Sequence, residues 1–120
     1  MNRVLLVDDD SDLRALVRQC LEADGHDVTE ASSGVEALEY LASGIDTPNL
    51  VLLDMQMPEM DGDEVLAELA RDASLQTIPV VVFSAHPHDG APPKGVRGMI
   101  RKPIDLESLT TLVRKFCRDR

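Results

Sequence analysis

Apolar positions follow two rhythms that alternate along the chain. Arg3-Val-Leu-Leu-Val7 is a short aliphatic run closed by acids, as suits a strand buried on both faces. Leu13, Leu16, Val17, Cys20 and Leu21 then recur at helical spacing, and Gly25 follows as a stop signal. Asp27 to Ala31 reads as a weaker second strand. Ser33 with Glu36 forms a capping-box pattern before a helix that carries Val35, Leu38 and Leu41 and ends near Gly44. Leu50-Val-Leu-Leu-Asp54 repeats the first pattern, and Asp61 with Glu64 caps a third helix bearing Val65, Leu66 and Leu69. Pro79 to Ser84 is a fourth strand and Gly98 to Lys102 a short fifth. After Pro103, Leu106, Leu109, Leu112, Val113 and Phe116 mark a last helix capped by Asp105. Strict alternation of strands with helices predicts a parallel sheet covered on both faces, because parallel neighbours need crossover connections.

Composition narrows the function classes. The 120 residues fit one domain, expected to span 1–120 without an output domain. Trp is absent and Phe83, Phe116 and Tyr40 are the only aromatics, so the core is expected to be aliphatic. Twenty-two acids against twelve bases give a net charge of -10, which repels nucleic acid and anionic membranes. Lys94, Arg97 and Arg101 are too dispersed for a nucleic-acid footprint. Cys20 and Cys117 lack metal or redox spacing and read as reduced packing residues. No apolar run reaches the length of a membrane span, and Asp8 to Asp10 interrupt the N-terminal apolar stretch. A cytoplasmic location is expected.

The residues that close the strands carry the chemistry. Strands of a parallel sheet point one way, so their last residues gather along one edge, where ligands bind at the reversal of strand order. Asp8 and Asp9 end the first strand, Asp54 the third, Ser84 the fourth and Lys102 the fifth. Taken singly, each has an ordinary reading as a cap, a turn residue or a surface cation. Together they place three carboxylates, a hydroxyl and an ammonium at one edge. Carboxylates so close repel unless a cation compensates, and hard oxygen donors without Cys or His favour Mg²⁺, which completes its shell with water and phosphate. The hydroxyl and ammonium suit the remaining phosphate oxygens. Asp54, on the central strand, is then the expected nucleophile for phosphoryl transfer.

The motifs Val7-Asp8-Asp9, Leu53-Asp54-Met55-Gln56-Met57-Pro58, Met60-Asp61-Gly62, Phe83-Ser84-Ala85 and Lys102-Pro103 closely resemble the two-component response regulator receiver domain, from about Arg3 to Phe116. The resemblance implies a flavodoxin-like, doubly wound five-stranded parallel sheet of order 2-1-3-4-5. It implies that Asp54 accepts a phosphoryl group, that Asp9 binds Mg²⁺ directly and Asp8 mainly through water, and that Gln56 offers its backbone carbonyl. Ser84 resembles the switch hydroxyl and Lys102 its cationic partner. Pro58 and Gly62 fall at structural positions, and the Lys102-Pro103 bond resembles the family's cis peptide, at a cost for X-Pro of about 0.5–1 kcal/mol. Small Ala85 leaves the pocket open to a donor. Implied partners are a sensor histidine kinase or histidine phosphotransfer protein and a downstream protein effector, with no direct nucleic acid and no membrane. The protein would be a monomer or weak dimer, and a signalling domain that catalyses only its own phosphorylation and autodephosphorylation.

Two features depart from the family. Met99 stands where an aromatic switch residue is usual, and Ala85 to Gly98 contains Pro87, Gly90, Pro92, Pro93, Gly95 and Gly98. Interior Pro costs a helix about 3 kcal/mol and Gly about 1, so the family's helix here is expected to be short or irregular. His86, His88 and Asp89 need no ligand to explain them, and Met55, Met57 and Met60 read as gap-filling residues. Two rival functions are a phosphorylation-independent docking module on this fold and an aspartyl phosphohydrolase using Asp8 and Asp10. The second needs a longer core than this chain supplies.

Overall fold

A computed structural model describes residues 2–85 and 95–116. The elements are β1 (Arg3–Val7), α1 (Ser11–Ala23), β2 (Asp27–Ala31), α2 (Gly34–Ser43), β3 (Leu50–Asp54), α3 (Gly62–Arg71), β4 (Val80–Ser84), β5 (Val96–Arg101) and α4 (Leu106–Phe116). All pairings are parallel in the order β2-β1-β3-β4-β5, as expected. The chain leaves β1 toward β2 on one side and later returns to place β3 on the other, so strand order reverses between β1 and β3.

The aliphatic runs are continuous because successive side chains enter different layers. Leu5, Val7, Val51, Leu53, Val80 and Val82 pack with Leu41 of α2 and Val65 and Leu69 of α3. Their neighbours Val4, Leu6, Leu50, Leu52, Val81 and Phe83 pack on the opposite face with Val17 and Leu21 of α1 and Leu109 and Val113 of α4. Every residue of β3 and β4 is buried. The central strands therefore hold their carboxyl-terminal ends in fixed register, with Asp54 opposite Phe83.

Helix starts follow the capping chemistry. Asp10 caps α1 by accepting from the backbone N–H of Asp12 and Leu13. Asp61 and Glu64 form the reciprocal box at α3. At α2 the box is modified, since Ser33 accepts from Glu36 N–H while the Glu36 carboxylate accepts from Ser32 N–H. Gly44, at φ 66, terminates α2 in the left-handed region that glycine adopts freely. Arg114 of α4 forks onto Asp24 at 2.6 and 3.0 Å, tying α4 to the end of α1.

The fifth strand is the element most displaced from expectation, while β4 starts one residue later than expected, at Val80. It begins at Val96, before Gly98, and ends at Arg101, so Lys102 lies just beyond it. An irregularity in the pairing between Val80 and Val81 sets Val96 opposite Val80 and Gly98 opposite Val81. A Cβ at Gly98 would sit 3.3 Å from Leu112 of α4, so glycine serves there as a close-packing residue within a strand. The expected irregular segment from His86 lies mostly outside the described residues, as do Cys117 and the two histidines in it. Arg97, however, belongs to β5.

Phe83 is the largest fully buried side chain, whereas Met99 is 38% exposed. Urea denaturation should find Phe83→Ala destabilised by about 3–5 kcal/mol and Met99→Ala by less than about 1 kcal/mol.

Candidate functional site

The carboxyl ends of β1 and β3 bring Asp8, Asp9 and Asp54 together, with one oxygen from each lying within 4.8 Å of the others. Asp8 and Asp54 are buried and Asp9 is exposed, so the cluster has a closed floor and an open rim. Backbone bonds explain the placement. Asp8 N–H donates to Ala31 of β2 at 3.1 Å, and Met55 N–H donates to Phe83 of β4 at 3.0 Å, which holds the residue after Asp54 in the sheet.

Lys102 is the cation of the cluster. Its ammonium lies 3.2 Å from Asp8 Oδ2 and 3.3 Å from Asp54 Oδ1. Although Lys102 follows β5 instead of ending it, its N–H donates to the Ser84 carbonyl at 3.0 Å, extending the ladder by one residue. That bond brings the Ser84 and Lys102 backbones to the same edge. Ser84 is buried, and the Lys102-Pro103 peptide is cis, as expected.

Among the described residues, one ammonium faces three carboxylates and does not balance them. Burial pushes the Asp54 carboxyl up to about 6; the Gln56 N–H bond opposes this, the Asp8 charge adds to it, and Lys102 opposes it. The Gln56 N–H donates to Asp54 Oδ1 at 3.1 Å. Burial alone would lower the Lys102 pKa, but Asp54 and Asp8 outweigh it and hold the ammonium above its ordinary value. An oxygen-only donor set with excess negative charge fits a hard divalent cation.

The β3–α3 connection is built closely around this floor. Met60 N–H donates to the Pro58 carbonyl at 2.8 Å across Glu59, whose φ is 69. This is a tight three-residue turn in a region where a non-glycine residue costs about 1–3 kcal/mol. Gly62 N–H donates to the Met55 carbonyl at 3.1 Å. A Cβ at Gly62 would fall 2.7 Å from Met55 Cα, which makes glycine necessary beside the residue that follows Asp54. Met55 and Met57 are buried in the core, and Met60 packs against it.

Two features at the site were not anticipated. One is the left-handed Glu59. The other is Arg14, which donates to the Asp8 carbonyl at 2.6 Å and to Glu30 at 3.0 Å. The available signal was an acid, Glu30, inside a strand pattern and an Arg one turn into the helix after Asp10. Met99 is exposed on β5, opposite Val82.

A parallel sheet of this strand order, with an acid pair and a lysine around a central aspartate, defines a receiver-type α/β domain. The chain matches the family model described as the response regulator receiver domain over residues 4–114, and it belongs to that family, whose members act in two-component signalling. It is 35% identical over 116 residues to the sensor histidine kinase CheAY of Helicobacter pylori, covering 93% of this chain and 14% of that protein. It is also 35% identical over 122 residues to the response regulator MprA of Mycobacterium ulcerans, covering 97% of this chain and 50% of that protein. The chain thus spans half or less of these two relatives. Among solved structures, a histidine kinase receiver domain from Syntrophus aciditrophicus superposes with a TM-score of 0.85 at 26% identity, covering 97% of this chain and 89% of that one. No helix among the described residues is long and apolar enough to cross a membrane.

A raised acid pKa gives the charge imbalance a measurable sign. An acid whose folded-state pKa exceeds its unfolded value costs stability above the folded value, and that cost fades as pH falls through it. In chelator, Lys102→Met should therefore lose about 1–3 kcal/mol at about pH 8, where Asp8 and Asp54 are left without their cation. The deficit should shrink by about pH 5, as Asp54 takes up a proton. Urea denaturation at both pH values checks this.

Proposed function

We propose that this receiver domain accepts a phosphoryl group on Asp54 from a phosphohistidine of a sensor kinase or histidine phosphotransfer protein, and that this changes its binding to a downstream protein effector. The observation that carries the reading is the buried Asp54 carboxylate beside Asp8 and Asp9, with Lys102 3.3 Å away. Asp9, Asp54, the Gln56 carbonyl and, through water, Asp8 would hold Mg²⁺. Once bound, this ion supplies positive charge for the transferring group's oxygens.

The protein's own groups account for the remaining steps. Asp54 attacks phosphorus in line as the phosphorus–nitrogen bond to the donor imidazole breaks. The bonding pair goes to the imidazole nitrogen, and an acyl phosphate forms. Lys102 is placed to stabilise a phosphoryl oxygen. Ser84, buried at the same edge, is the expected switch hydroxyl.

Asp8 differs from Asp9 in what it already holds. It accepts from Asp10 N–H at 2.9 Å and from Lys102 at 3.2 Å, which supports a role through water, while exposed Asp9 supports direct ligation. Met99 offers no aromatic ring to follow Ser84, so the readout would pass through the β3–α3 and β4 loops and the segment after Ala85. The phosphohydrolase alternative loses ground because Asp10 is engaged as the α1 cap.

The test is intact-protein mass spectrometry after incubation with a small acyl phosphate and Mg²⁺. A single phosphoryl gain that disappears in chelator and in Asp54→Asn is expected. No gain in the parent chain, or an undiminished gain in Asp54→Asn, would overturn the assignment.

A further inference from the structure

We propose that Arg14 is a positioning residue for the acidic cluster: its guanidinium fixes the Asp8–Asp9 peptide while Glu30 neutralises it, so that the anchor does not repel the cation. The inference rests on the metal-binding role proposed for this edge and adds a residue outside the ligand set.

The geometry is specific. Arg14 Nη1 donates to the Asp8 carbonyl at 2.6 Å and Nε donates to Glu30 Oε1 at 3.0 Å. The Arg14 and Glu30 side chains are 16% and 27% exposed, more sheltered than an ordinary surface pair. Arg18 Nη1 donates to Glu30 Oε2 at 2.8 Å, securing the carboxylate from its other side. Asp8 is thus held at each of its polar groups. Its N–H donates to Ala31, its carboxylate accepts from Asp10 N–H and Lys102, and its carbonyl accepts from Arg14. A peptide unit is planar, so holding the Asp8 carbonyl orients the plane from which exposed Asp9 departs. β2 supplies both Ala31 and Glu30, and it thereby anchors a site to which it contributes no ligand. Partners of this kind orient metal ligands without touching the ion.

The sign of one effect separates positioning from simple electrostatics. If Arg14 acted only as a nearby positive charge, its removal would tighten Mg²⁺ binding. If it positions the peptide, removal weakens binding.

The experiment is Mg²⁺ titration of the whole chain, with urea stability measured in chelator. Arg14→Met should lose about tenfold in Mg²⁺ affinity, with Arg14→Lys recovering part because one donor to the carbonyl remains. Arg18→Met, which also breaks a pair with Glu30 but does not reach Asp8, should bind Mg²⁺ within about twofold of the parent. Glu30→Gln should weaken binding about threefold, since it frees Arg14 and leaves its charge uncancelled. Unchanged or tighter binding in Arg14→Met, or an equal loss in Arg18→Met, overturns the proposal. Should Arg14→Met not fold, unchanged binding in both Arg14→Lys and Glu30→Gln overturns it. Asp9→Asn identifies the source of failure: if it also binds Mg²⁺ as the parent does, the metal reading has failed and Arg14's role falls with it.

Discussion

Among the described residues, three carboxylates share one edge of the sheet with a single ammonium, and the charge left uncompensated governs the rest of the site. The closeness is imposed by topology, because β1 and β3 are parallel neighbours whose last residues cannot avoid each other. Burial then denies Asp54 the water that would relieve it. A carboxyl held near 6 instead of 3.8 represents a cost on the order of 3 kcal/mol when it is ionised. Each fully buried Leu, Val or Phe returns about 1.5–3 kcal/mol, and the two core layers contain many. The fold can therefore carry a strained acidic edge.

Much of this was legible in the residues. Aliphatic runs closed by acids marked β1 and β3 because strands buried on both faces show no polar alternation. Capping pairs marked α2 and α3 because their hydrogen bonds are local. The meeting of Asp8, Asp9, Asp54 and Lys102 followed from parallel topology together with the family resemblance. The features that escaped prediction depend on contacts distant in sequence or on unusual backbone. Gly98 reads as the start of β5, and the earlier start at Val96 depends on the irregular pairing at Val80, which no local pattern shows. Glu59 carries no preference for positive φ, so its turn is imposed by Pro58 and Met60. Arg14 and Glu30 resemble surface charges until helix and strand are docked.

The same arrangement explains why several residues that bind nothing matter to the site. Gly62 permits close approach to Met55, and a Cβ at Gly34 would fall 2.7 Å from Val65 and 3.0 Å from Met60. The start of α2 therefore packs directly on the β3–α3 connection. In the proposed function, changes at Asp54 would reach this connection through Gln56 and Met55, which are bonded to Asp54 and to Gly62 respectively. The β4 end is reached separately, through the bond from Lys102 to Ser84.

The central claim is that excess negative charge at this edge is the driving force for binding a divalent cation. It is tested most directly by following the Asp54 side-chain carboxyl carbon by NMR as pH is varied, first in chelator and then in saturating Mg²⁺. The account predicts a midpoint near 6 without metal and a clear fall with it, since the cation favours the ionised form. A metal-free midpoint at the ordinary aspartate value, or one that Mg²⁺ leaves unmoved, would contradict it.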